Sequence, residues 1–190
     1  MILMNRFLSD LKEFIPESAE KLRNGVVSKE EERLHREQRQ EAQFVAEVYH
    51  LLREKGYNQD SLFMEYYYPQ IYVKKRNRRL KPDLIYESDG CDYVAEFKVF
   101  WDGDLYGNSS RINGTAQDIV KNYYNKMLLY SLLNLPIKCT YLVFAYLGPI
   151  KRNKGIKFYV SDFSKSILGT LKTLQSEKPK PNLPIEIICG

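Results

Sequence analysis

The sequence predicts an α/β fold with a central mixed β-sheet flanked by α-helices. Three observations predict it. Strand-like runs come grouped first, and a long helical stretch then crosses over to a continuous apolar run, Cys139 to Leu147. Residues 80–100, LKPDLIYESDGCDYVAEFKVF, read as two adjacent strands joined by a Glu-Ser-Asp-Gly turn at 87–90. A chain of 190 residues, 44% hydrophobic and 28% charged, is most economically one domain with a real core.

The N-terminal 1–27 reads as a helical extension. Phe7, Leu8, Leu11, Phe14 and Ile15 recur at helical spacing, and Pro16 is expected to end the run. It would cap the domain or mediate self-association. Residues 28–190 form the single domain. Ser28 to Lys55 reads as one long helix stopped by Gly56. Its first half, KEEERLHREQRQ, is a solvated surface held by Glu/Arg pairs three and four apart. Its second half gains the stripe Phe44, Val45, Val48 and Leu52; Glu41 lies on that face and Glu47 does not.

Residues 62–73, LFMEYYYPQIYV, read as a strand, with Pro69 at a bulge or edge. A basic cluster, KKRNRRLK, follows at 74–81. Pro82-Asp83 then sits in one strand and Glu96-Phe97-Lys98 in the next. Residues 102–114 have loop composition. A helix is expected from Thr115 to Asn134, capped by Thr115 or Asn113, with Val120, Tyr124, Met127, Leu128, Ser131, Leu132 and Leu135 against the sheet. After the buried strand 139–147 come a loop at 148–155, a strand Ile156 to Val160, a helix Ser164 to Gln175, a proline-rich connector and a strand Ile185 to Ile188.

Several function classes are excluded. No apolar run reaches the ~18 residues of a membrane span, and charges recur from Arg6 through Glu13 where a signal peptide would be apolar. Cys91, Cys139 and Cys189 are scattered and form no C-x-x-C, which fits a reducing, cytoplasmic setting. His35 and His50 are too few for a histidine metal site. Neither a phosphate-loop spacing nor a G-x-S-x-G elbow occurs. Lys and Arg outnumber Asp and Glu by 29 to 24, a mild lean toward a polyanionic partner.

That leaves the carboxylates. Alternation along 93–100 puts Tyr93, Ala95, Phe97 and Val99 on one face and Val94, Glu96, Lys98 and Phe100 on the other. A carboxylate and an ammonium on the half-buried face of a central strand are costly unless they are paired or bind something. Asp/Glu-x-Lys alone is common, and Asp10-Leu11-Lys12 is another instance. Context discriminates: Pro82-Asp83 in one strand, Glu96-x-Lys98 in the next, and a helix with a stripe-facing Glu41 before both. The plain reading is a structural ion pair on an exposed sheet face. Glu65 is a competing acid in the first strand.

Over residues 28–147 this order resembles the PD-(D/E)XK nuclease superfamily, with its restriction-endonuclease-like fold. The resemblance rests on EAQFVAEVYHLL and on RRLKPDLIYE with YVAEFKV. It implies that Asp83, Glu96, Lys98, Glu41 and Gln117 form the catalytic set. Asp83, Glu96 and the carbonyl of Phe97 would hold Mg²⁺, with Mn²⁺ as its substitute, and such hard oxygens suit it. Glu41 would be an outer ligand or hold a second metal. Lys98 would orient the attacking water or stabilise the charged phosphorane. Gln117, in the first turn of its helix, or Lys121 would contact the phosphate or support Lys98.

The basic cluster has two readings. Lys74, Lys75, Arg76, Arg78, Arg79 and Lys81 contact a phosphate backbone, or they form a charged hairpin tip that discourages edge pairing. The implied function is a Mg²⁺-dependent DNA phosphodiesterase of restriction, repair or defence type, with RNA a lesser expectation and a homodimer plausible. The other classes are a non-cutting nucleic-acid-binding module of the same fold, in a defence or mobile-element system, and an α/β interaction protein.

Overall fold

Strand β3, Cys91–Phe100, is the axis of a five-stranded sheet in the computed structural model, which describes residues 2–25, 39–65, 68, 81–100, 109–133, 135–146, 160–177 and 185–189. The elements in chain order are α1 (Ile2–Gly25), α2 (Arg39–Glu54), β1 (Leu62–Met64), β2 (Leu84–Ser88), β3, α3 (Ser109–Leu132), β4 (Ile137–Tyr146), α4 (Val160–Glu177) and β5 (Ile185–Cys189). The strands lie in sequential order, antiparallel from β1 to β3 and parallel from β3 to β5. The mixed sheet follows from the connections. Asp89 and Gly90 both take positive φ, 56° and 72°, and close β2 onto β3 as a two-residue hairpin. Helices instead carry the chain from β3 to β4 and from β4 to β5, as parallel neighbours require.

Helices cover both faces, so β3 is buried on both sides. Leu84, Tyr93, Ala95, Phe97, Val99, Tyr141 and Val143 pack beneath α1 and α2. Ile85, Val94, Leu142 and Phe144 pack beneath α3 and α4. The alternation expected along β3 therefore holds, and Glu96 shares the α3 side with Val94. Helix α2 ends as the sequence requires. The Gly56 N–H donates to the Arg53 carbonyl at 3.0 Å and the Tyr57 N–H to the Leu52 carbonyl at 3.1 Å, with Gly56 at φ 99°. That is a Schellman motif, sealed by the buried side chains of Leu52 and Tyr57.

Five expectations are corrected. Pro16 does not end α1, which runs on to Gly25. The proline lies on the exposed side, while Ile15, Ser18 and Ala19 beside it are buried, so tertiary packing overrides the lost hydrogen bond. α1 is thus built into the core rather than appended to it. The buried Asp10 accepts from the Tyr57 hydroxyl at 2.7 Å and pairs with Lys55 at 3.2 Å.

The run expected as one strand over 62–73 is interrupted after Met64, because Glu65 turns to φ 50°; its residues 66, 67 and 69–73 lie outside the described residues. Helix α3 starts at Ser109, within the expected loop, and continues through Gly114 despite that residue's cost in a helix. Leu132 is 77% exposed rather than against the sheet. Five residues past Met127 places it about 140° round the helix from that buried residue. Finally, Val160 opens α4 rather than closing a strand. Residues 28–38, 69–80, 101–108 and 147–159 lie outside the described residues, and with them His35, the long helix's polar half, Pro69, the loop at 148–155 and the rest of the strand expected at 156–160.

Candidate functional site

The register of the sheet places three acids side by side. Met64 pairs with Leu84, and Leu84 with Ala95. One residue further along, the Glu65 N–H donates to the Asp83 carbonyl at 3.0 Å, and the Phe97 N–H donates to Asp83 Oδ2 at 2.8 Å. Glu65, Asp83 and Glu96 therefore line up in one transverse row, just past β1, just before β2 and within β3, which Leu142 of β4 continues. Pro82-Asp83 does not lie within a strand; it immediately precedes β2. Like charges placed opposite one another in a sheet destabilise it. The row needs cations.

Two lysines supply them. Lys81 pairs with Glu65 at the exposed end. At the buried end, Lys126 of α3 puts Nζ 2.5 Å from Glu96 Oε2 and 2.9 Å from the Lys81 carbonyl. Tyr130, one turn on, donates its hydroxyl to Glu96 Oε1 at 2.7 Å. Glu96 is only 1% exposed. Burial, opposed by Lys126 and reinforced by Asp83, pushes its carboxyl up to about 8. Asp83 moves the same way; burial is the main cause, with Lys126 and the Phe97 N–H opposing it and Glu41 and Glu65 adding to it. Asp83 receives its hydrogen bond from a backbone N–H rather than from an ammonium.

Lys98, two residues beyond Glu96 on the same face, pairs with Glu41 Oε2 of α2 at 2.9 Å. Both side chains are half-buried. The pair ties β3 to α2 near the C-terminal end of the strand. Tyr123 completes the wall by donating to the Phe97 carbonyl at 2.6 Å. Burial pushes the Tyr123 and Tyr130 hydroxyls up, so both remain protonated donors.

Of the residues the sequence singled out, the structure brings Glu41, Asp83, Glu96, Phe97 and Lys98 together, and the competing Glu65 joins them. Gln117 and Lys121 are exposed on α3. Gln117 lies eight residues into the helix, not in its first turn. At 100° per residue both sit on the order of 120–160° round the axis from Tyr123. Lys81 belongs to the acid row; Lys74, Lys75, Arg76, Arg78 and Arg79 lie outside the described residues. Sequence reasoning missed Tyr123, Lys126 and Tyr130. Their signal is a lysine spaced three and four residues from two tyrosines on the sheet-facing side of a helix, above a strand that carries a buried acid.

Two carboxylates and a peptide carbonyl, from Asp83, Glu96 and Phe97, match a hard divalent cation in donor type. Among the described residues, no three of His, Cys, Asp and Glu are grouped so as to hold a metal ion. The donors of the row are instead engaged by Lys126, Tyr130, Tyr123 and the Phe97 N–H. No described helix is long and apolar enough to cross a membrane. No protein-family model, curated protein or solved structure matches the chain.

Proposed function

We propose that the chain is a divalent-cation-dependent phosphodiesterase acting on nucleic acid, DNA foremost, in the manner of the restriction-endonuclease-like nucleases that its sequence resembles. One observation carries the reading: the transverse row Glu65–Asp83–Glu96, with Lys98 two residues beyond on the same face of β3. Acids are concentrated there at the cost of mutual repulsion and, for Glu96, of full burial, which a structural role does not require.

Asp83, Glu96 and the Phe97 carbonyl would hold Mg²⁺ or Mn²⁺, which when bound supplies Lewis-acid polarisation of the phosphoryl oxygen and a more acidic water. The chain's own residues supply the rest. Lys98 offers a fixed ammonium to the charge that develops on the phosphate, and Glu41 orients it. Tyr130 fixes the Glu96 carboxylate and Tyr123 fixes the Phe97 carbonyl. The apolar packing of Val94, Leu142 and Phe144 beneath α3 keeps water from the inner end of the row.

A second reading, a nucleic-acid-binding module that does not cut, is favoured by the engagement of both Glu96 oxygens by α3 donors. One experiment separates the two. Wild type, Asp83→Ala and Lys98→Ala are incubated with supercoiled plasmid, single-stranded DNA and RNA in Mg²⁺, Mn²⁺ or EDTA. Metal-dependent cleavage lost in both variants supports the nuclease. Binding without cleavage under every condition leaves the non-cutting module.

A further inference from the structure

We propose that Lys126 is a built-in occupant of the cation position in the acid row, and that a divalent cation enters by displacing its ammonium. The proposal rests on reading the row as a divalent-cation site. Its support is the company that Nζ keeps: a carboxylate oxygen of Glu96 at 2.5 Å and the peptide carbonyl of Lys81 at 2.9 Å. Those are the oxygen types that a hard cation takes. The attraction also extends to Asp83, which among the described residues has no ammonium in ion-pair contact. An ammonium has three donors and a single charge. A divalent ion in place of Lys126 brings a second positive charge to the row and so favours the ionised form of Glu96.

The arrangement permits the exchange. Glu96 is buried, but the Lys126 side chain is 23% exposed and carries a flexible stem, so Nζ can swing outward without moving α3. Tyr130 holds the other Glu96 oxygen and keeps the carboxylate aimed after the lysine leaves. The Tyr123 hydroxyl takes only one of the two lone pairs of the Phe97 carbonyl. The freed ammonium then stands beside the row, where a bound phosphodiester would meet it. Lys126 is thus a positioning residue, which keeps the buried acid compensated when no ion is present.

The test is Mn²⁺ binding, followed by titration calorimetry at constant pH for wild type, Lys126→Met and Lys126→Gln. Removing the competing ammonium is expected to tighten Mn²⁺ binding by about tenfold, and Glu96→Gln to abolish it in either background. The second readout needs no variant: acylation of Lys126 in the wild-type protein, measured by mass spectrometry, is expected to accelerate several-fold when Mn²⁺ is added. It decides the matter if the variants do not fold. Equal or weaker Mn²⁺ binding by folded Lys126 variants, or unchanged labelling in Mn²⁺-loaded wild type, overturns the proposal. Absence of Mn²⁺ binding in every protein overturns it together with the nuclease reading. Displacement of Lys126 by Mn²⁺ without phosphodiester cleavage upholds the proposal while the nuclease reading fails.

Discussion

Lys98 of β3 and Glu41 of α2 meet at 2.9 Å across 57 residues of sequence, and neither is fully buried. An ion pair of this exposure contributes at most about 1 kcal/mol to stability. Lys98→Ala is therefore expected to leave the melting temperature within a few degrees of wild type. Nicking of plasmid should nevertheless fall by on the order of 10²–10³-fold, the loss that follows removal of one group stabilising transition-state charge. Glu41→Gln, which keeps the shape but frees Lys98, should fall less. Melting curves alongside cleavage rates check this, and a parallel collapse of stability and activity would make the pair merely structural.

Glu96 has an ordinary carboxyl value of 4.5 and is pushed up to about 8 in the fold. Between those values the folded chain retains a proton that the unfolded chain has released. The group's contribution to stability is therefore greatest below 4.5 and declines as pH rises through about 8. Asp83 acts in the same direction. Thermal melts from about pH 5 to about pH 9 should show wild type losing several degrees more than Glu96→Gln, whose amide does not titrate. Parallel curves for the two proteins would contradict the raised value.

The Tyr57 hydroxyl donates to the buried Asp10 of α1 at 2.7 Å. Tyr57→Phe is expected to cost about 1 kcal/mol, because Asp10 keeps Lys55 and Arg6 as partners. Urea denaturation should show one transition with a lower midpoint and an unchanged slope. A separate early transition would instead mean that α1 is an autonomous appendage.

Gly56→Ala tests the end of α2. An added Cβ at Gly56 meets nothing within 4 Å, so the penalty is that of the left-handed backbone alone, φ 99°. The expected loss is roughly 1–2 kcal/mol. Gly169, within α4 and also in open space, gives the opposite expectation: Gly169→Ala should stabilise by about 0.5–1 kcal/mol. Denaturation midpoints of both variants check the contrast.

Much of the central sheet is legible in the sequence. Alternation alone orients Phe97 and Glu96 to opposite sides of β3, and the Asp89-Gly90 pair marks the hairpin that brings Asp83 beside Phe97. The continuous apolar run identifies β4. The left-handed turn at Glu65 is not legible, because an acid among aromatic residues reads as more strand. Nor is the passage of α1 through Pro16, where burial of the neighbouring residues outweighs a local penalty. Lys126 and Tyr130 are hidden for a further reason. On a helix they read as surface charge and core aromatic, and only the crossover that lays α3 over β3 sets both against Glu96.

The hairpin between β2 and β3 also fixes when the site's costs arise as the chain folds. Asp83 and Phe97 are 14 residues apart, Glu96 and Lys126 30, and Glu41 and Lys98 57. Loop-closure entropy rises slowly with such spans, but the shortest loop closes first when other things are equal. The acids come together while still in water, where the solvent and its ions weaken their repulsion. Dehydration of Glu96 falls later, on the docking of α3, the same step that delivers its lysine. Penalty and remedy therefore arrive on one helix.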